Sequence, residues 1–308
     1  MKVSIRFSNF WKNSDSTLFN FFVPLIETVY QSEVYVEKDS KKLVDLEVFS
    51  VFPQKKPITS RALNRISNFT RETSKLMEIG MDSNARRKLW FSGENKRTPI
   101  ADQFDSYLGY DPEGLLTNSH YFPLWVLNLD NFGRGVAHGF TSAYTNQDAL
   151  LLPRILERSS KTNFCCAFIG NPTSFRLGVL RELGKIEPLG LFGSAFGKQI
   201  LDKNSVSNSY KFSFSFENNL FPGYVTEKLL EGYLGGNVPL YWGIDSSSYF
   251  NPRAFINLND FYSLEDFVAA IREINSNEDR YIETYNQPLL LRKFDIDDLV
   301  NMLRKDLL

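Results

Sequence analysis

Residues 216–243 read FENNLFPGYVTEKLLEGYLGGNVPLYWG, and the order of residue types in this stretch decides the fold. The preceding run, Lys211 to Phe216, alternates as a strand and ends in Glu217-Asn218. A short loop follows, and Tyr224-Val225-Thr226-Glu227-Lys228 opens a helix that runs to residue 234. Gly235-Gly236 stop it, and Val238 to Trp242 reads as the next strand. Strand, loop, helix, strand is the crossover that builds a parallel sheet. Ligands of open α/β sheets gather at the carboxyl ends of the strands, where this loop lies. The start of a helix also offers free backbone N–H groups to an anion such as phosphate.

The same alternation runs through the rest of the chain. Lys2 to Phe10, Glu33 to Val36, Val44 to Phe52, Lys88 to Phe91 and Asp105 to Gly109 read as strands. Thr17 to Tyr30 and Leu63 to Met81 read as helices. After a difficult stretch at 131–161, Asn163 to Ile169 and Ala254 to Leu258 supply further strands. Asn171-Pro172-Thr173 caps a helix to Leu183, and Ser263 caps another that carries Glu265 and Asp266 in its first turn. The closing DIDDLVNMLRKDLL is an amphipathic helix. The pattern predicts an α/β protein of two domains, 1–154 and 155–308, the second including the terminal helix.

At 308 residues, with 43% hydrophobic and 23% charged residues, the composition is that of a globular protein. Net charge is −1, and residues 1–100 hold 17 Lys and Arg against 11 Asp and Glu. Neither feature calls for nucleic acid, and the basic-aromatic Arg86-Arg87-Lys88-Leu89-Trp90 comes with no RNA-binding motif. No run reaches the ~20 apolar residues of a membrane span. The polar interruptions of MKVSIRFSNFWKN argue against a signal peptide. Cys165 and Cys166 are neighbours in an apolar run, which suits small core residues in a reducing compartment. The expectation is a cytoplasmic protein, at most peripheral to a membrane.

Of Glu227 and Lys228, Lys228 is the more telling. A Glu in the first turn of a helix suits the dipole whatever its role, whereas a Lys there is disfavoured. Arg176, in the first turns of the helix after Asn171-Pro172, presents a planar fork of donors that can clamp a diphosphate, but a lone Arg on a helix is ordinarily solvated surface. Glu94 follows an apolar strand in a Gly-Glu-Asn turn, so its carboxylate emerges at the strand's carboxyl end. Asp295-Ile296-Asp297 matches a D-x-D metal motif only in letters, since it opens a terminal helix rather than following a strand. His120 and His138 stand alone in the sequence. No G-x-G-x-x-G follows a first strand, so an ordinary dinucleotide dehydrogenase is not indicated.

Together, F-E-N at 216–218, Y-V-T-E-K at 224–228 and V-P-L-Y-W-G at 238–243 resemble the donor signature of the α1,3/4-fucosyltransferase family, glycosyltransferase family 10. The likeness extends back to Asn171-Pro172 with Arg176, and forward to Phe250-Asn251-Pro252, Phe255 and Asn259-Asp260-Phe261. A weaker echo lies at Phe91-Ser92-Gly93-Glu94-Asn95, so it covers roughly residues 85–262. It implies two Rossmann-like domains facing across a cleft, the GT-B arrangement, with acceptor on the first domain and GDP-fucose on the second. The implied reaction is inverting transfer of L-fucose to a hydroxyl of an N-acetylglucosamine-containing or glucose-type glycan, in α1,3 or α1,4 linkage.

Within that resemblance Glu94 is the general base, Arg176 and Lys228 contact the donor phosphates, and Glu227 faces the fucose. Tyr224, Val225, Thr226 and Asn218 line the donor pocket, and Glu217 binds ribose hydroxyls. No metal site is implied and no cofactor is required; a divalent metal is not expected to be essential. The partners are GDP-fucose and an oligosaccharide or glycoconjugate acceptor, with no nucleic acid. Asn219-Leu220-Phe221-Pro222 departs from the family's more polar, glycine-rich loop, and Gly190, Gly193 and Gly197 only partly supply its glycine-rich segment. Two alternatives stay open: another nucleotide-sugar transferase of this fold, and a non-catalytic carbohydrate- or nucleotide-binding relative.

Overall fold

The computed structural model describes residues 2–52, 83–94, 103–111, 117–135, 146–200 and 202–308. The helix expected over 63–81, Asn95 and His138 lie outside the described residues. The chain divides into two compact units, Met1–Ala143 with Asp295–Leu308, and Tyr144–Phe294.

In the first unit, β1 (Val3–Ser8), β2 (Val34–Val36), β3 (Val44–Phe49), β4 (Ala85–Phe91), β5 (Ser106–Gly109) and β6 (Ser119–Tyr121) form one parallel sheet in the order β2-β1-β3-β4-β5-β6. β6 was not legible in the sequence: SHY is a short, half-buried edge strand without alternation. Helix α1 (Val23–Tyr30) continues a π-helical segment, Leu18–Phe22, whose Phe21 and Phe22 are buried. An aromatic core follows from this, with Phe22 against Phe91 at 5.0 Å and Phe21 against Phe122 at 5.2 Å.

The second unit has the same logic. Strands β7 (Asn163–Phe168), β8 (Leu189–Phe192), β9 (Tyr210–Phe216), β10 (Val238–Trp242) and β11 (Ile256–Asn257) are parallel, in the order β11-β10-β9-β7-β8. Helices α2 (Ser174–Leu183), α3 (Glu227–Leu234), α4 (Leu264–Ser276) and α5 (Glu278–Tyr285) cover it. Thr173 and Ser263 cap α2 and α4 by accepting from Arg176 N and Asp266 N, as their positions predict. Buried Phe212, Phe214 and Phe216 belong to the core, and the last two rings stack at 4.1 Å. The alternate Ser213 and Ser215 point to the other face, under α3.

Those serines let α3 lie unusually close to β9. A Cβ on Gly232 would meet Ser215 Oγ at 2.3 Å and Ser213 Oγ at 2.4 Å. Gly232→Ala is therefore expected to lower stability despite alanine's better helix propensity. Overpacking costs about 1–3 kcal/mol, against roughly 1 kcal/mol gained in propensity. Urea unfolding checks this; a variant as stable as the parent or more so would show that α3 has room to rise.

The closing helix α6 (Ile296–Leu307) follows the second unit in sequence, and the sequence reading places it there. In the structure it belongs to the first unit. Arg304 donates from Nε to Val29 O at 3.1 Å and from a terminal nitrogen to Thr28 O at 2.6 Å, so a cation caps the carboxyl end of α1. His120, solitary in the sequence, lies 2.6 Å from Asp306. Asp295 accepts from Asp298 N at 2.9 Å, so it is a helix cap.

Candidate functional site

In their own numbering the first sheet runs 2-1-3-4-5-6 and the second 2-1-3-4-5, the doubly wound order in which the connection reverses direction between the first and third strands. Ligands bind in the crevice at that reversal, beyond the carboxyl ends. In the second unit it falls between β7 and β9. Gly170-Asn171 leave one strand there and Glu217-Asn218 leave the other, so topology selects the same corner as the motifs.

Glu217 is the centre of this corner and is fully buried. Its carboxylate accepts from Thr226 N at 2.8 Å and from Thr226 Oγ1 at 2.7 Å. Tyr241 donates to it at 3.4 Å, and Lys228 Nζ stands 3.4 Å away. This corrects the ribose-binding role: both oxygens are spent inside the protein. Glu217 instead fixes the residue before α3. It also moves the helix start. Thr226 is extended, with its N–H and hydroxyl turned to Glu217, and α3 begins at Glu227 rather than at Tyr224. Tyr224 and Val225 are buried. Burial pushes the Glu217 carboxyl upward, while Lys228 and the Thr226 donors favour its charge.

Lys228 is held by three oxygens: Glu217, Glu227 Oε1 at 3.0 Å and Thr226 Oγ1 at 2.9 Å. Burial alone lowers the ammonium's pKa; Glu217 and Glu227 outweigh it and hold Lys228 above the ordinary lysine range. Arg176 reaches the same corner from α2. It is 3% exposed and donates to Asn171 O and Asn218 Oδ1, each at 3.1 Å. Its Nε has no hydrogen-bond partner. Burial pulls the guanidinium's pKa down, and Glu217 and Glu227 oppose that. A buried, incompletely paired cation is costly, and an anion between the two strand ends would relieve it.

Glu231 was missed by the sequence reading. It lies one turn beyond Glu227, 3.5 Å from Lys203, and its carboxyl is pushed up to about 7, first by burial and then by Glu227. Glu at 227 and 231 of a helix is a visible i, i+4 like-charge pair, and that was the available signal. In the first unit, Glu94 stands half-buried just past β4. Ser92 N bonds Leu108 O at 2.9 Å, and Gly93 sits where a Cβ would meet Ser50 Oγ at 2.9 Å. Among the described residues no group of three or more His, Cys, Asp or Glu is placed to hold a metal ion, and no helix is long and apolar enough to cross a membrane.

A sequence model of glycosyltransferase family 10 (fucosyltransferase), C-terminal domain, matches residues 158–287. That stretch is similar to a family 10 domain. It contains every member of the β7–β9 corner described above. An alpha-(1,3)-fucosyltransferase FucT of Helicobacter pylori is 29% identical over 233 residues, covering 67% of this chain and 48% of that protein. A 4-galactosyl-N-acetylglucosaminide 3-alpha-L-fucosyltransferase 9 of Mus musculus is 32% identical over 174 residues, covering 54% and 47%. The chain thus spans about half the length of these curated relatives. A crystal structure of an alpha1,3-fucosyltransferase with GDP-fucose has the same fold as 99% of this chain, over 90% of its own, with a TM-score of 0.67 at 19% identity. The matched domain and its partner unit are two parallel-sheet α/β units, as the sequence reading expected.

Proposed function

We propose that this chain transfers L-fucose from GDP-fucose to a hydroxyl of an N-acetylglucosamine-containing or glucose-type glycan, in α1,3 or α1,4 linkage and with inversion. The observation that carries the reading is the corner of the matched domain, where the ends of β7 and β9 and the start of α3 bring Arg176, Lys228 and Glu227 together. Arg176 and Lys228 receive the diphosphate and stabilise it as it leaves. Asn218 orients Arg176. Glu227, one oxygen tied to Lys228, faces the sugar and the positive charge that develops at its anomeric carbon. Glu94, from the first unit, takes the proton of the acceptor hydroxyl. The first unit receives the acceptor and the second the donor.

GDP and GDP-fucose are expected to bind without added divalent metal, because a buried Arg176 and a half-buried Lys228 are available to the phosphates. Arg176→Ala and Lys228→Ala should each weaken GDP by ~1.5–3 kcal/mol, the value of a charge-assisted contact. Calorimetry with chelator present, against GDP-fucose, GDP-mannose and UDP-sugars, tests both points. Absence of GDP binding, or binding that vanishes with chelator, contradicts this assignment of the cations. A preference for UDP-sugars would favour another nucleotide-sugar transferase of the same fold.

A further inference from the structure

We propose that Lys203 is a further donor-binding cation, held in reserve by Glu231, and that binding of the donor moves a proton from solvent onto Glu231. The proposal rests on the donor reading above. Lys203 begins the short helix Lys203–Ser207. Its ammonium lies 3.5 Å from Glu231 and 5.9 Å from the centroid of Phe168, the last residue of β7. That places it on the β7 side of the same corner, on the flank that carries α3.

Among the described residues named at this corner, three cations face three carboxylates. Its cations are Arg176, Lys203 and Lys228; its carboxylates are Glu217, Glu227 and Glu231. Lys228 is shared between Glu217 and Glu227, and Lys203 is bound to Glu231. A diphosphate diester brings further negative charge into a partly buried space, where like charges repel strongly. Relief is cheapest at one carboxylate. Glu217 cannot be neutralised without weakening its bonds from Thr226, Tyr241 and Lys228. Glu227 keeps Lys228 at 3.0 Å. Glu231 has Lys203 at 3.5 Å, with Lys228 acting on it as well, and is already a weak acid.

The groups that act on Glu231 come from each element around it. Glu227 and Lys228 stand on its own helix and Lys203 on the short helix, while Glu217 just past β9 and Arg176 on α2 act on it through Lys228. Protonation of Glu231 weakens the bridge to Lys203, and the ammonium, still charged, turns towards a phosphate oxygen. The proton is the only group transferred, and it comes from water.

Calorimetry of GDP-fucose in buffers of different ionisation enthalpy, between pH 6 and 8.5, tests this. GDP-fucose is the right probe because its esterified diphosphate keeps a constant charge over that range, unlike the terminal phosphate of GDP. Wild type should take up a proton fraction that rises through neutrality towards roughly one by pH 8, and its affinity should fall by up to about tenfold per pH unit above pH 7. Glu231→Gln should show no uptake, a flat pH profile, and tighter binding than wild type at pH 8. Lys203→Met should bind more weakly than wild type at pH 6, where the freed lysine would otherwise serve. Wild-type binding with no proton uptake, or uptake retained in Glu231→Gln, overturns this inference and leaves the donor reading intact. Absence of wild-type binding overturns both.

Discussion

Glu217→Ala is expected to lower the free energy of unfolding by about 3–5 kcal/mol, the usual consequence of removing one partner from a buried ion pair. The side chain is fully buried, and its loss strands three groups at once. Thr226 N and Oγ1 lose their acceptor, Lys228 loses one of its two carboxylates, and Tyr241 loses a partner. The start of α3 is then no longer held to the end of β9, so Glu227 and Lys228 lose their placement and GDP binding should fail as well. Glu217→Gln separates the two effects. The amide keeps one acceptor for Thr226 and the shape of the site, so most of the stability should return while Lys228 remains under-neutralised. Denaturant unfolding of both variants, with GDP titrations, checks this. A loss below about 1 kcal/mol in Glu217→Ala would mean that water enters and replaces the carboxylate.

Glu94→Gln is expected to reduce kcat by at least ~10²-fold, the lower end of what a positioned base contributes, with GDP affinity nearly unchanged. The amide has the shape of the carboxylate but cannot accept the acceptor's proton. Its neighbours argue for a rigid placement, since Gly93 is packed against Ser50, Phe91 and Trp11 and Ser92 is bonded to the end of β5. Glu227→Gln should behave differently. That carboxylate belongs to the donor corner, so both turnover and the preference for GDP-fucose over GDP should fall. Turnover with a competent acceptor and the affinity of both nucleotides distinguish the two variants. Near-normal kcat in Glu94→Gln would remove Glu94 from the mechanism, and the base would then be sought first at Glu227.

What was legible in the sequence was local. β7, β9 and β10 show as strands because their residues carry the apolar and alternating signals within a few positions. α2 and α4 show because Thr173 and Ser263 cap them three residues before the N–H groups they accept from. Lys228 stands out as a cation at a helix start, where the dipole disfavours it, whereas Arg176 stands out only through the family resemblance. β6 and β8 escaped, being three and four residues long with no buried alternation. The polar α5 escaped because only Tyr281 on it is buried.

The sequence by itself determined the α/β class, the strand-helix-strand corner and most of the residues placed at it. It did so because period, caps and turn residues act over a few positions and leave their mark in order along the chain. Only the tertiary structure decided what those residues do to one another. Glu217 looked available to a ligand until folding placed Thr226, Lys228 and Tyr241 around its two oxygens. Glu231 is pushed up by burial and then by Glu227, and Lys203, 28 positions away, opposes the shift. The amphipathic stripe of α6 announced that this helix would be buried but not against what, since its partners Thr28 and Val29 lie some 275 residues earlier. Burial is a demand that any apolar surface can meet; which surface meets it, and which charges are enclosed with it, is settled only when segments far apart in sequence come together.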